Sequence, residues 1–267
     1  MIVFANSKIN IGLNIIGKRN DGFHNIQSVF YPIKLSDVIE FVKDNKNELK
    51  ITGISLVSNS ENLIIKSYNL LAKNYKLPPL KIHLHKITPT EAGLGGGSAD
   101  ATYILMALNN YFKLNISIKK LYEYADKIGS DCSFFVENKP TLVTGKGEKH
   151  ILLPNFLKGK YLVVVKPDVS ILTKEAFKNI NIDDTNIDLS KIYETPILEW
   201  KKFVINDFEI YAFKKFQELK EIKDFLYNSG AEYASMSGSG SSIYGIFNEN
   251  PNILEYKDYF VWNEVMS

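Results

Sequence analysis

The chain has 267 residues, of which 45% are hydrophobic and 23% charged, so it can bury a sizeable core as one large domain or two smaller ones. Its net charge of +2 comes without a basic arm or stripe, which argues against a nucleic-acid partner. A single cysteine, Cys132, excludes an intrachain disulfide and a multi-cysteine metal site and favours a reducing, cytoplasmic compartment. No signal-peptide pattern is present, and no apolar run reaches the ~18 to 20 residues of a membrane helix, so we expect no membrane partner.

The first part of the chain predicts strands and one helix. The odd-numbered positions from Ile9 to Ile15 are aliphatic and alternate with polar or small residues, a pattern typical of a half-buried strand. A cluster of turn residues follows at 17–22. Ser60 is the predicted N-cap of a helix that places Leu63, Ile64, Tyr68, Leu71 and Ala72 on one face and ends before Pro78-Pro79. Further strands are predicted at 29–33, 38–42 and 80–84.

Residues 91–100 predict an anion-binding turn. They read Glu-Ala-Gly-Leu-Gly-Gly-Gly-Ser-Ala-Asp, follow a predicted strand, and precede a helix predicted from Ala101 to about Tyr111. Glycines lack the Cβ atom that keeps a ligand away from the backbone, and successive N–H groups at the start of a helix bind phosphate. The spacing matches neither a Walker A loop nor a dinucleotide-binding fingerprint. The alternative is a flexible linker, which a strand and a helix rarely flank so closely.

The second part of the chain does not continue with a regular alternation of strands and helices. A helix is predicted at 118–128 and ended by Gly129, a boundary region rich in Gly, Lys and Pro follows at 144–160, and another helix is predicted at 208–227. Strands are predicted at 161–165, 232–236 and 242–247. We therefore predict an α+β fold rather than a doubly wound parallel sheet, with lobes at residues 1–152 and 153–267.

Four further features are ambiguous when each is considered alone. Lys8 lies at the start of the first strand, where an isolated lysine is more often an exposed edge residue. Asp131 follows a helix-ending glycine and fits a turn or N-cap aspartate. The turn at 21–24 projects an aromatic ring and an imidazole that could stack on a planar ligand, and the small-residue loop at 236–242 fits a simple connection between strands.

Taken together, these stretches resemble the GHMP kinases, the family named for galactokinase, homoserine kinase, mevalonate kinase and phosphomevalonate kinase. The resemblance occurs in the family's order and spans nearly the whole chain, at residues 7–10 with 17–24, 91–100, 128–135, 206–209 and 236–240. The glycine-rich segment is specific only to the family as a whole. The Asp-Gly-Phe-His turn at 21–24 resembles one branch, whose acceptor carries a cytidine diphosphate group.

The resemblance implies two α+β lobes, an N-terminal ATP-binding lobe like domain 2 of ribosomal protein S5 and a ferredoxin-like C-terminal lobe on the substrate side. It implies ATP and Mg²⁺ as cofactors and phosphoryl transfer to an alcohol, with Asp131 accepting the hydroxyl proton and Lys8 orienting that aspartate and offsetting charge on the attacking oxygen. Ser98 is a possible Mg²⁺ contact. The residues expected to hold the ATP phosphates are Gly93, Leu94, Gly95, Gly96, Gly97 and Ser98.

The same resemblance implies how the acceptor is held. Phe23 and Phe177 are expected to stack on the two faces of cytosine, His24 to hydrogen-bond the edge of the base, and Asn10 to reach the methylerythritol hydroxyls. The expected reaction is phosphorylation of the 2-hydroxyl in isoprenoid precursor biosynthesis. The chain departs from the family's usual pattern at three places: Phe23 stands where Tyr is common, Cys132-Ser133 replaces Val-Pro, and Thr90-Glu91 replaces small residues.

Two other functions remain open at this point. The first is another GHMP kinase with a small acyclic acceptor, which the 21–24 turn and Phe177 argue against because such an acceptor has no base to stack. The second is a non-catalytic binding module on the same fold, which the presence of Lys8, Asp131 and every glycine of the 91–100 segment argues against.

Overall fold

The computed structural model describes residues 1–54, 62–180, 187–251, 256 and 258–267. The chain divides into two compact units. The first unit contains residues 1–7, 35–90 and 95–138, and the second contains residues 8–34, 91–94 and 139–267. The predicted lobe boundary at residues 152 and 153 stays a prediction.

Two long strands contribute residues to both units: β1 (Ile2–Lys18) and β2 (His24–Lys43). β2 contains both of the strands predicted at 29–33 and 38–42, because Lys34 to Asp37 continue the extended backbone between them. β1 is not half-buried as predicted, since every residue from Ser7 to Ile15 is buried. Its second face is polar. There the backbone amide of buried Asn10 donates to Ser237 Oγ, and its side-chain amide donates to Ser28 Oγ.

The first unit packs four helices with part of a sheet. The second half of β2 pairs antiparallel with β4 (Leu80–Lys86), and β4 pairs parallel with β3 (Glu48–Gly53). Asn62 caps the first helix by accepting a hydrogen bond from the Ile64 backbone amide, and the predicted cap Ser60 lies outside the described residues. The helices are α1 (Leu63–Ala72), α2 (Gly96–Tyr111), α3 (Ile118–Ile128) and α4 (Phe134–Glu137).

In the second unit, a hairpin and a four-stranded antiparallel sheet provide the strands. The hairpin is formed by β5 (Thr141–Gly145) and β6 (Lys149–Leu152), and β5 pairs with the first half of β2. The strands of the sheet, in spatial order, are β10 (Phe260–Val265), β7 (Tyr161–Lys166), β9 (Ile243–Phe247) and β8 (Tyr233–Met236). The helices are α5 (Thr173–Lys178), α6 (Ile197–Trp200), α7 (Phe208–Lys215) and α8 (Gln217–Asn228), with a 3-10 turn at Ile192–Glu194.

The single helix predicted at 208–227 is in fact α7 and α8, separated by Phe216 in an extended conformation. The Phe216 side chain packs against a buried apolar core to which both helices contribute residues. The break therefore lets two short helices each place an apolar face on the same core, which one straight helix of that length does not achieve.

The α+β class is confirmed. Among the pairings of strands β2 to β10 in the described chain, only that of β3 with β4 is parallel, so the sheets are not those of a doubly wound fold. Within the described segments, no helix combines the length and the apolar character needed to cross a bilayer.

Candidate active site

Lys8 is buried in the second unit, and its ammonium group is held at a defined place. Its Nζ atom donates hydrogen bonds to the Asn10 side-chain oxygen and, at 3.0 Å, to the Gly93 carbonyl oxygen. The same ammonium lies 4.7 Å from the ring centre of Phe30, a cation–π contact. A lysine that is 2% exposed and bound to polar acceptors is not the exposed edge lysine that the sequence left open.

The Gly93 carbonyl joins Lys8 to the small-residue loop at 236–242. This oxygen also accepts a hydrogen bond from Ser237 Oγ at 2.8 Å, and Ser237 Oγ in turn accepts one from the Asn10 backbone amide at 3.1 Å. Asn206 holds the loop from the other side, since its Nδ2 atom donates to the Met236 and Gly238 carbonyl oxygens, each at 2.8 Å. The loop is therefore part of the surroundings of Lys8 rather than a plain connection between strands.

Gly93 is a glycine because of this close approach. Its φ of +74° lies in the left-handed region, and a Cβ atom on it would stand 1.9 Å from the Ser237 carbonyl oxygen. Both facts exclude a side chain at this position. The sequence indicates that a ligand requires the glycine, whereas the structure shows that backbone packing requires it as well.

In the first unit, Gly95 to Ser98 form the start of α2. Gly95 is the N-cap residue with φ 70°, and no side chain caps the free amide groups of the first turn among the described residues. A Cβ atom on Gly96 would stand 2.8 Å from Thr88 Cγ2 and 3.2 Å from Lys86 Nζ. The first turn thus presents bare N–H groups at the positive end of a helix, the arrangement predicted for phosphate binding.

A buried ion cluster lies next to this turn. Lys86 Nζ donates to Asp37 Oδ2 at 2.5 Å and to Asp100 Oδ2 at 2.9 Å, and all three residues are at most 3% exposed. Asp37 Oδ1 accepts two backbone amides as well, those of Ile87 and Thr88. Asp100 Oδ1 has no hydrogen-bond partner among the described residues. Burial raises the pKa of Asp100 to about 7, and Asp37 adds to this, although Lys86 opposes it.

We expect the stability of the protein to fall as the pH rises from about 4 to about 7, because the folded state then has to ionise Asp100 in a buried place. Lys86 has a pKa raised above its ordinary value of 10.5, so it stays charged across this range. Asp100→Asn removes the titrating carboxyl and keeps an oxygen acceptor for Lys86. From pH 4 to pH 8, the free energy of unfolding of the variant should rise by roughly 2 to 4 kcal/mol relative to that of the wild type. Urea unfolding at both pH values checks this, and parallel curves for the two proteins would contradict it.

Asp131 lies in the first unit in the short segment between α3 and α4. Ser130 Oγ lies 3.4 Å from its Oδ1 atom, and the Cys132 backbone amide donates to the Gly129 carbonyl oxygen. The neighbouring Cys132 thiol is buried, which raises its pKa to about 11, so it is not a thiolate at neutral pH. Partly exposed Asp131 therefore sits in a turn with a buried, unreactive neighbour.

The residues predicted to bind the base belong to the second unit, and their arrangement differs in detail from a simple pair of phenylalanines. The His24 and Phe177 rings stack, with centres 4.9 Å apart and planes 18° apart. Phe23 is 57% exposed, and Lys146 Nζ lies 5.1 Å from the centre of its ring. Burial, and the charge of Lys18 to a lesser degree, lower the pKa of His24, so it is neutral at pH 7.

The structure brings Lys8, Asn10 and Gly93 into one hydrogen-bonded group, and it stacks His24 on Phe177. Asn10 uses both ends of its amide inside the protein, since its Nδ2 atom donates to Ser28 Oγ at 2.9 Å. Sequence reasoning missed Ser28 and gave no role to the 236–242 loop residue Ser237. The sequence marks the loop at 236–240 through the family resemblance, but it does not show what the Ser237 hydroxyl binds, because the partner residue Asn10 is 227 positions away.

Models of two known domains match the chain: the N-terminal domain of GHMP kinases over residues 62–138 and the C-terminal domain of GHMP kinases over residues 196–256. Curated relatives include 4-diphosphocytidyl-2-C-methyl-D-erythritol kinases. The one from Parabacteroides distasonis is 43% identical and is covered, like this chain, over its full length. The one from Bacteroides thetaiotaomicron is 45% identical, with 92% of each chain covered.

Solved structures agree with the matches in sequence. A crystal structure of a 4-(cytidine 5'-diphospho)-2C-methyl-D-erythritol kinase has a TM-score of 0.77 and 29% identity, covering 92% of this chain and 90% of its own. The mevalonate kinase of Methanococcus jannaschii shares the fold, with a TM-score of 0.68 and 16% identity over 100% of this chain and 98% of its own. By sequence and by fold, the chain belongs to the GHMP kinase family and is an ATP-dependent small-molecule kinase.

Proposed function

We propose that the protein transfers the γ-phosphoryl group of ATP to the 2-hydroxyl of 4-diphosphocytidyl-2-C-methyl-D-erythritol, a step of non-mevalonate isoprenoid precursor biosynthesis. The observation that carries this proposal is the 43% and 45% identity to kinases of that name over 92% to 100% of the chain. The cytoplasm is the proposed compartment, as the sequence predicts.

The proposed chemistry assigns one task to each of two side chains. The 2-hydroxyl oxygen forms a bond to the γ-phosphorus, the bond from that phosphorus to the β–γ bridging oxygen breaks, and ADP leaves. Asp131 accepts the hydroxyl proton, and the Lys8 ammonium offsets negative charge on the attacking oxygen. Phosphoryl transfer depends mainly on positioning and charge neutralisation, so a lysine held by two acceptors supports this assignment better than a mobile one does.

The ATP phosphates are proposed to bind the backbone amides from Gly93 to Ser98. Mg²⁺ usually reaches a kinase with the nucleotide phosphates and takes few ligands from the protein. The described residues contain no cluster of three metal-binding side chains, and the Ser98 hydroxyl at the start of α2 is an oxygen donor of the kind Mg²⁺ accepts. Such an ion would neutralise charge on the γ-phosphoryl group.

Recognition of the cytosine is proposed to use Phe23, His24 and Phe177. His24 covers one face of the Phe177 ring, so binding of a base on that face requires the imidazole to move aside. Neutral imidazole carries one donor and one acceptor nitrogen, which suits hydrogen bonding to the edge of a base. Asn10 is proposed to contact the acceptor hydroxyls, in addition to holding Lys8.

We expect Phe177→Leu to raise KM for the cytidine acceptor about 10- to 100-fold, because stacking of one base on one aromatic ring is worth roughly 1 to 3 kcal/mol. Leucine keeps much of the side-chain volume that packs on Phe208. KM for ATP should stay within about twofold. Steady-state kinetics measure both constants, with Phe177→Tyr as the control that keeps the ring. An unchanged acceptor KM in Phe177→Leu would remove this residue from the proposed base site.

The proposed function is tested by ADP release with purified protein, Mg-ATP and four acceptors: 4-diphosphocytidyl-2-C-methyl-D-erythritol, mevalonate, homoserine and galactose. Turnover with the cytidine acceptor alone supports the proposal. Turnover with another acceptor keeps the kinase activity and rejects the base site. Absence of turnover with all four, in a folded protein that binds ATP, supports the non-catalytic alternative instead.

A further inference from the structure

Within the second unit, one carbonyl oxygen receives two hydrogen bonds from side chains that are far apart in sequence. Lys8 Nζ and Ser237 Oγ both donate to Gly93 O, at 3.0 Å and 2.8 Å. A carbonyl oxygen has two lone pairs, so these two donors fill its capacity and fix its direction. The place of the Lys8 ammonium thus depends on where Ser237 holds this oxygen.

The Ser237 hydroxyl can act in only one way. It is fully buried, and its oxygen accepts a hydrogen bond from the Asn10 backbone amide at 3.1 Å. The single hydroxyl proton is therefore directed at Gly93 O. Asn10 also accepts a hydrogen bond from Lys8 through its side-chain oxygen, so Ser237 is connected to two of the groups that hold the ammonium.

The loop that carries Ser237 is itself fixed on both sides of this residue. Asn206 Nδ2 binds the carbonyl oxygens of the preceding and following residues, Met236 and Gly238. The Ser237 backbone amide also donates to the Ser242 carbonyl oxygen at 2.9 Å. Because the backbone of this loop is fixed, the Ser237 hydroxyl can hold the Gly93 carbonyl in one place.

We propose that Ser237 is a positioning residue for phosphoryl transfer, which sets the place of the Lys8 ammonium through the shared Gly93 carbonyl and through Asn10. This proposal rests on the proposed function, because it takes Lys8 as a catalytic residue. Ser237 touches neither reactant in it and acts only through its neighbours.

Ser237→Ala removes the hydroxyl that fixes the direction of the Gly93 carbonyl. The Lys8 ammonium, which donates to that carbonyl, is then held less precisely. A misplacement on the order of 1 Å costs about 100-fold in rate, so we expect kcat to fall roughly 10- to 100-fold. KM for ATP should change less than about twofold, because the backbone amides proposed to bind phosphate remain. Ser237→Thr keeps a hydroxyl and should restore much of kcat.

Ser235→Ala is the matched control. Ser235 is also buried, lies two residues away on β8, and donates its hydroxyl to Glu209 Oε1 at 3.0 Å. Its replacement therefore removes a buried hydrogen bond near Ser237, but none to Gly93 or Asn10. We expect near wild-type kcat for Ser235→Ala. If both variants lost kcat equally, the loss would be a general effect of removing a buried hydroxyl near this loop. That result would overturn the proposal.

A double-mutant cycle with Lys8→Met provides the second test. If Ser237 acts through Lys8, then Ser237→Ala lowers the residual kcat of Lys8→Met by less than about twofold. A further loss equal to that in the wild-type background would overturn the proposal. If Ser237→Ala does not fold, Ser237→Cys, which keeps the volume with a much weaker donor, takes its place in the same cycle. Wild-type turnover of the four acceptors decides the proposed function separately, and the ratios between variants decide the role of Ser237 with whichever acceptor is used.

Discussion

Asp131→Asn is expected to lower kcat about 100- to 10,000-fold, the usual contribution of a positioned group that accepts a proton during reaction. Asparagine has nearly the same shape and leaves the short turn between α3 and α4 in place. The amide cannot take the hydroxyl proton, so the attacking oxygen loses its proposed proton acceptor. Nucleotide affinity, measured by calorimetry, should stay within about threefold, because the proposed phosphate site consists of backbone amides.

Asp126→Asn is the control for this experiment. Asp126 is an exposed carboxylate on α3, a few residues before Asp131, and its replacement makes the same change of net charge. We expect wild-type kcat for this variant. A kcat for Asp131→Asn within about fivefold of the wild type would contradict the proposed role of Asp131, since general bases contribute much more than that.

Gly93→Ala is expected to destabilise the second unit by about 3 kcal/mol or more. Left-handed backbone costs an L-residue roughly 1 kcal/mol, and the clash of a Cβ atom with backbone adds to it because neither side can rotate away. That Cβ would stand 1.9 Å from the Ser237 carbonyl oxygen. Urea unfolding measures the change. We also expect activity to fall in the fraction that folds, since the Gly93 carbonyl is an acceptor of Lys8.

Gly17→Ala provides the comparison for this substitution. Gly17 lies near the end of β1 with no positive φ, and a Cβ atom on it would meet nothing within 4 Å. The same chemical change should therefore alter the free energy of unfolding by less than about 0.5 kcal/mol. If Gly93→Ala were as stable as Gly17→Ala, the close approach of Gly93 to the 236–242 loop would not be a constraint on the fold.

Local sequence signals were sufficient for many elements. Alternation predicted the first strand, and glycine and an apolar stripe gave the bounds of α3 correctly. They failed where packing against residues distant in sequence decides where a helix ends or which side chain is buried. Phe216 has ordinary helix-compatible neighbours, and only the core that its ring joins explains why the helix ends there. Asn10 and Asn14 read as exposed polar positions, yet both are buried because other elements cover that face of β1.

At the glycine-rich turn, some features could be predicted from the sequence and others could not. Its glycines, its place before a helix and the resemblance to GHMP kinases were readable from the chain, and the family is confirmed. The buried cluster beside it was not readable, because an aspartate on α2 and a lysine at the end of β4 look like ordinary surface residues in sequence. The roles assigned to individual site residues stay predictions that the variants above test.

The sequence by itself determined the fold class and the family, because these follow from local periodicity and from motifs a few residues long. Tertiary structure alone decided which carbonyl holds the Lys8 ammonium, which hydroxyl fixes that carbonyl, and why Gly93 has no side chain. The hydrogen bond from Ser237 to Gly93 joins residues 144 positions apart. Their geometry depends on the packing of the whole second unit, and no pattern of neighbouring residues encodes it.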